Sequence, residues 1–321
     1  MSRSYRLAGL AGGLAIAVLA HAAQAASNVV IDDTRVFPES MTALADGSVI
    51  FGSAAKPIIY RAASGSAKAE PWIHLTGSGT VSSLGVLADA KSNTLWVCQV
   101  EQAPGAPLPP RRTILRTFNL KTGADKASYP LPGDANLCND IAIAADGAAF
   151  ISDTTNGQIF RLKPGGSALE LWLKDPALAG VDGLTFVKGA LYVNSLTQST
   201  ILRAPMNPDG SASKPVLITL SQPVTRPDGM RAQGERLFVA ENGAGKVSEL
   251  SLHGDQATVT VIKDGFNTPT AVQPVGKVLW VGEAKFPFMR DPKLQNQDPG
   301  PFQAYALPMP PRLRTDVRDT E

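Results

Sequence analysis

Arg226-Pro227-Asp228-Gly229-Met230-Arg231 runs on through Gly234 to Leu237-Phe238-Val239-Ala240. It reads as a polar entry residue, a short strand, a tight turn and a second strand. The same unit recurs along the chain. Glu39-Ser40 leads through Asp46-Gly47 to Val49-Ile50-Phe51, and Asn139-Asp140 leads through Asp146-Gly147 to Phe150-Ile151. Asp182-Gly183 leads through Lys188-Gly189 to Leu191-Tyr192-Val193, and weaker copies lie at Gly85 to Val97 and Thr268 to Val281. One column then holds Ile50, Trp96, Phe150, Tyr192, Phe238 and Trp280, at spacings of 46, 54, 42, 46 and 42 residues. Turn-punctuated short strands repeating at about 40–50 residues mark the blades of a β-propeller. Six copies predict an all-β, six-bladed β-propeller, with the repeated aromatics as core between blades. Helical periodicity is absent.

The 321 residues are 44% hydrophobic, enough for a large core, and the regular repeat argues for one domain over residues 26–307. Residues 1–25 read as a secretory signal peptide. Arg3 and Arg6 form a basic start, Leu7 to Ala20 an apolar stretch, and Ala23-Gln24-Ala25 a small-x-small cleavage site. The expected mature protein is periplasmic or secreted. Losing Arg3 and Arg6 and no acid takes the formal charge from +2 to 0. A neutral surface shows no footprint for nucleic acid, and no other stretch is long enough to span a membrane. Residues 308–321, rich in proline and charge, read as a disordered tail.

Val29 to Arg35 is expected to close the last blade as an N-terminal strand. Ala103 to Pro110 carries four prolines, which cannot join a sheet ladder. It is an extended loop, either a lid or a stiff insertion. Export permits a disulfide. Cys98 ends a strand of the second repeat and Cys138 precedes the inner strand of the third, on one face of neighbouring blades. They form either a bridge or two separate buried thiols.

The missing chemistry narrows function. Beyond the leader the histidines are His74 and His253, on different repeats. A Ser-His-Asp triad or a histidine-rich zinc site is thereby disfavoured. No nucleophile elbow, phosphate-binding loop or dinucleotide fingerprint occurs. Any metal must be held by oxygens, which suits Ca²⁺, Mg²⁺ or Mn²⁺. The residue entering each inner strand should face the channel. Those residues are Glu39, Asn139, Asp182 and Asp228, with Thr268 and Thr270 in the sixth repeat and the apolar Leu84-Gly85-Val86 in the second. Asp and Asn before Gly are also ordinary turn residues. Their shared register is what predicts convergence, and converging carboxylates repel unless a cation sits among them. Asp153, Glu241 and Glu283 share a second column and are read either as rim groups near that site or as strand-end caps.

Phe37-Pro38-Glu39, Asn139-Asp140, Asp182-Gly183-Leu184 and Pro227-Asp228-Gly229-Met230, in that order, resemble the SMP-30/gluconolactonase/LRE-like (regucalcin) family over roughly residues 36–285. The resemblance implies a six-bladed propeller with one divalent metal in its channel, Ca²⁺ first and Mg²⁺, Mn²⁺ or Zn²⁺ after it, and hydrolysis of a lactone. It makes Glu39, Asp182 and Asp228 the metal ligands and Asp228 the general base. Asn139 becomes a substrate-binding neighbour. Asp182 stands where many members carry Asn. The rival readings are a non-catalytic ligand- or partner-binding propeller, and a propeller of other chemistry such as a lyase or a strictosidine-synthase-like condensing enzyme. The latter would use an acid over the channel, for which Glu101 and Glu283 are available.

Overall fold

The structure, a computed structural model, describes residues 27–77, 79–102 and 111–311. The expected leader, the proline run 103–110 and residues 312–321 of the expected tail lie outside the described residues.

Six inner strands organise the chain. They are β1 (Met41–Ala43), β2 (Thr80–Asp89), β3 (Cys138–Ile143), β4 (Val181–Val187), β5 (Pro227–Gln233) and β6 (Pro269–Val275). Each turns back into an antiparallel partner, as Val181–Val187 does onto Ala190–Ser195 and Pro227–Gln233 onto Arg236–Glu241. The turns need left-handed backbone, which Gly147 supplies at φ 95° and Gly234 at φ 67°. The inner strands touch in cyclic order, β1 to β2 and on through β6, which returns to β1. Hydrogen bonding groups the strands into five sheets. Three have four strands, one has five and one has eight.

The eight-stranded sheet is where the chain closes. Val29–Ile31 pairs antiparallel with Gln303–Pro308, Val29 opposite Ala304. It also pairs parallel with Lys68–His74, Val30 opposite Lys68. The N-terminal strand thus completes the last sheet unit, but it is shorter than Val29 to Arg35 and is stitched to the first unit as well. At the other end the ordered chain passes residue 307. The final strand reaches Pro308, the Met309 N–H donates to the Lys277 carbonyl, and Arg236 Nη2 donates to the Pro310 carbonyl. The segment Pro215 to Leu220 is shared between two units. Val216–Leu217 pairs with Thr200–Ala204, while Thr219–Leu220 crosses to pair parallel with Gln256–Lys263 of the next unit.

Side chains from successive sheets interdigitate between them. Ile50, Phe150, Tyr192, Phe238 and Trp280 are buried, and Trp96 is partly so. Phe150 meets the edges of Trp172 and Phe186 at 4.9 and 5.2 Å between centroids. Burying each such ring contributes roughly 1.5–3 kcal/mol. The two cysteines are bridged, with Cα atoms 5.3 Å apart. The bond ties the strand Thr94–Gln102 to the start of β3.

The inner strands are not regular ladders. Register shifts interrupt the pairing between Ser83 and Val86, Cys138 and Ile141, Val181 and Leu184, Pro227 and Met230, and Pro269 and Ala271. A bulge leaves residues unpaired and re-aims their side chains. In these five units the residues within the bulges are the column that enters the inner strand, whereas Glu39 lies just ahead of β1, whose pairing is regular.

Candidate functional site

Two devices position that column. The first is backbone conformation. Phe37, Gly180, Arg226 and Thr268 have φ of 47°, 70°, 48° and 53°, and each lies two residues before Glu39, Asp182, Asp228 or Thr270. Left-handed backbone at a bulky residue is strained and persists only where surrounding contacts hold it. The second device is close approach between neighbouring inner strands. A Cβ on Gly183 would stand 2.6 Å from the Asp228 carbonyl oxygen, and one on Gly229 would stand 2.4 Å from that of Thr270. Where the column is followed by a polar residue instead, its side chain accepts a backbone N–H from the next strand. Val86 N–H donates to Ser40 Oγ at 3.2 Å, and Leu184 N–H to Asp140 Oδ2 at 2.9 Å. Thr270 Oγ1 donates to the Pro38 carbonyl at 2.9 Å and joins the sixth unit to the first.

Glu39, Asn139, Asp182 and Asp228 therefore meet. They line a pit of about 10 Å³ with Asp140, Arg231 and Thr270, and the pit opens into a cavity of about 630 Å³. The pit is about the size that one water fills, and the cavity lies in the range of small-molecule sites. All four carboxylates, Glu39, Asp140, Asp182 and Asp228, are buried. One buried guanidinium, Arg231, shares the pit with them, and it is committed to Asp140 at 2.6 Å.

The charge imbalance appears in the acidities. Burial, and then the Asp182 and Asp140 charges, push the Glu39 carboxyl well above its usual range. Burial, then Asp182 and Glu39, do the same to Asp228. Asp182 is pushed up to about 8, first by burial and then by Asp140. Arg231 loses solvation on burial, but the carboxylates of Asp140, Glu39 and Asp182 outweigh this and raise it.

Amide side chains hold the acids in place. Asn139 Nδ2 donates to Asp182 Oδ2 and to Thr154 Oγ1, both at 3.0 Å. Asn242 Nδ2 donates to Asp228 Oδ2 at 3.1 Å. Asn194 accepts the Gly183 N–H at 2.9 Å and donates to the Asp228 carbonyl. With both amide hydrogens of Asn139 taken, what it offers a ligand is its carbonyl oxygen.

The donor set tests whether a metal fits. Buried carboxylate oxygens in excess of buried positive charge suit a hard divalent cation. Among the described residues, however, no group of three or more His, Cys, Asp or Glu side chains is drawn together as a metal-holding cluster. The chemistry of the donors fits a hard cation.

The second column has a structural part. Asp153 accepts from the Leu137 N–H, Asn156 Nδ2 and Gln158 Nε2, and Glu241 accepts from the Thr225 N–H and Ser248 Oγ. These side chains anchor the segments that lead into β3 and β5. Neither Asp153, Glu241 nor Glu283 lines the cavity. Reading by motif missed Arg231, Asn242, Thr154 and the cavity wall. A signal for the Arg231 partner was present, because Asp140 stands where three other repeats carry Gly85, Gly183 and Gly229.

No family model matches the chain, and no curated protein does. Solved structures do. The calcium-binding protein regucalcin from Agrobacterium tumefaciens aligns with TM-score 0.62 and 15% identity, over 90% of this chain and 96% of that one. Virginiamycin B lyase from Staphylococcus aureus aligns with TM-score 0.57 and 15% identity, over 87% and 98%. The PQQ-bound aldose sugar dehydrogenase from Streptomyces coelicolor gives 0.55 and 14%, over 88% and 99%. These are β-propeller proteins, and the likeness shows that fold.

Proposed function

We propose that this chain is an exported, six-bladed propeller hydrolase that opens a lactone or related ester with one divalent cation, Ca²⁺ first. The observation that carries the reading is the pit where four buried carboxylates face one buried guanidinium. Such an excess of buried negative charge is costly unless a cation offsets it. The closed order of β1 to β6, with Val29–Ile31 completing the last unit, supports a count of six blades. The bridge between Cys98 and Cys138 supports an oxidising compartment, periplasmic or extracellular.

Glu39, Asp182 and Asp228 would hold the cation, which when bound polarises an ester carbonyl and stabilises charge on its oxygen. Asp228 serves as the general base. Its carboxylate is steadied at Oδ2 by Asn242 and takes a proton from the attacking water. General-base help of this kind contributes about 10²–10⁴-fold. Asn139 fixes Asp182 and presents its carbonyl oxygen to the substrate. The ion pair of Asp140 and Arg231 links β3 to β5 across β4. No covalent nucleophile is required.

A binding propeller without catalysis is the second reading. It is favoured by the mixed polar and apolar lining of the cavity, which suits ligand binding whether or not a reaction follows. Fold does not separate the two, since similar structures include a calcium-binding protein, a lyase and a dehydrogenase.

The test is hydrolysis of a panel of γ- and δ-lactones by metal-stripped protein given each divalent ion in turn, beside Asp228→Ala. Turnover restored by an ion and lost in the variant supports the hydrolase. Cation binding without turnover on any ring supports the binding module. Absence of cation binding removes the site assignment itself.

A further inference from the structure

The cavity above the pit is two-sided. From the third unit to the fifth its lining is polar, with Asn139, Thr154, Asp182, Arg226, Asp228 and Asn242. From the sixth unit through the first and second to the entry of β3 it is apolar, with Phe286, Met289, Ala54, Val81, Leu84 and Leu137. Glu39, Ser82, Gln102 and Arg290 are the polar members of that arc, and Leu196 is the apolar one opposite. The units follow one another around the ring, so these apolar residues gather on one side of the cavity rather than scattering around it. Leu84 matters most. It occupies the column position that is Glu39, Asn139, Asp182, Asp228 or Thr270 in the other units, and it is buried at the cavity's edge. Val81 and Met289 remain 38% and 36% exposed beside it, so the wall keeps apolar surface for a ligand to cover.

A polyhydroxylated ring against this wall would lose water from its hydroxyls without gaining partners. An alkyl or aryl arm would remove apolar surface from water on both sides. We infer that the ligand of this cavity is amphipathic: an oxygen-bearing ring or ester group over the carboxylate pit, with an apolar substituent of several carbons lying on Leu84, Met289 and their neighbours. This rests on the hydrolase reading for the reacting group, but the apolar arm is argued from the wall alone.

The experiment uses γ-lactams, which keep the ring and carbonyl but resist hydrolysis, carrying unbranched alkyl chains of increasing length. Their affinity for the cation-loaded protein is measured by calorimetry, beside a polyhydroxylated lactam. The matching lactones are assayed for turnover in parallel. Affinity is expected to rise about fourfold per methylene until the wall is covered. That slope is expected to flatten in Leu84→Asn and in Met289→Gln. Affinity independent of chain length, or tighter binding of the polyhydroxylated ring, overturns the inference. A chain-length slope without lactone turnover keeps the inference and removes the hydrolase. Turnover confined to polyhydroxylated lactones keeps the hydrolase and removes the inference.

Discussion

Arg231 on β5 grips Asp140 on β3 with both ends of its guanidinium, Nη1 to Oδ2 at 2.6 Å and Nη2 to Oδ1 at 2.8 Å, across 91 residues of sequence. Both side chains are buried, and the pair skips over the intervening inner strand β4. Arg231 also donates from Nη1 to its own strand's Met230 carbonyl at 2.8 Å. The pair thus commits the pit's buried guanidinium to Asp140, while Glu39, Asp182 and Asp228 line the same pit.

Removing one end should be costly. Arg231→Leu leaves Asp140 buried without its counter-ion and is expected to destabilise the fold by about 3–5 kcal/mol. Combining it with Asp140→Asn should recover part of that loss. Urea unfolding of the two single variants and the double variant gives the coupling directly.

Asp228→Ala should keep the fold while lowering turnover by about 10²–10⁴-fold. Far-ultraviolet circular dichroism and the melting temperature check the first part. A steady-state assay on the best lactone checks the second.

A cation that fits the pit should stabilise the folded state by about 2.7 kcal/mol at one hundred times its dissociation constant. Thermal melts of metal-stripped protein, titrated with Ca²⁺, Mg²⁺ or Mn²⁺, read this as a rise in melting temperature. Glu39→Gln and Asp182→Asn should each need more ion for the same rise, since each removes one negative charge from the donor set.

The cation-free protein should become less stable as pH rises. Asp182 is pushed up to about 8 in the folded state from an ordinary value of 3.8, so between those limits the folded chain binds more protons than the unfolded one. Stability then falls with increasing pH across that window and levels off above it. Glu39 and Asp228, raised by burial and by their neighbours' charges, act in the same direction. Melting temperatures at pH 5 and pH 8 should differ by several degrees without cation, and by less with it.

Reducing the bridge between Cys98 and Cys138 should lower stability by about 4 kcal/mol, the loop-entropy value for a separation of 40 residues. Because Cys138 directly precedes Asn139, cation affinity should weaken as well. Paired melts and titrations with and without reductant test both effects.

Gly183→Ala forces a Cβ to within 2.6 Å of the Asp228 carbonyl oxygen and 2.7 Å of the Met230 nitrogen. Neither is a flexible side-chain end, so β4 and β5 must part. A cost of about 1–3 kcal/mol is expected, together with weaker cation binding as Asp228 shifts. Urea midpoints and calorimetric titration measure the two consequences.

Much of this was legible from local pattern. Alternating strands, glycine turns and a buried aromatic at a steady interval are encoded by near neighbours in sequence, and they sufficed to infer sheet units ringed about an axis. The same register places Glu39, Asn139, Asp182 and Asp228 in one column, and the structure brings them to one cavity. Tertiary structure alone decided the rest. The aim of Asn139, Asp182 and Asp228 depends on a bulge, which exists only where two strands fail to match in count. The crossing of Thr219–Leu220 to the next sheet, the bond between Arg231 and Asp140, and the apolar wall shared by Leu84 and Met289 join residues tens to hundreds of positions apart. A repeat states what each unit is, because its interactions are local. It does not state how units differ where they meet, because that depends on which unlike side chains the closed ring brings together.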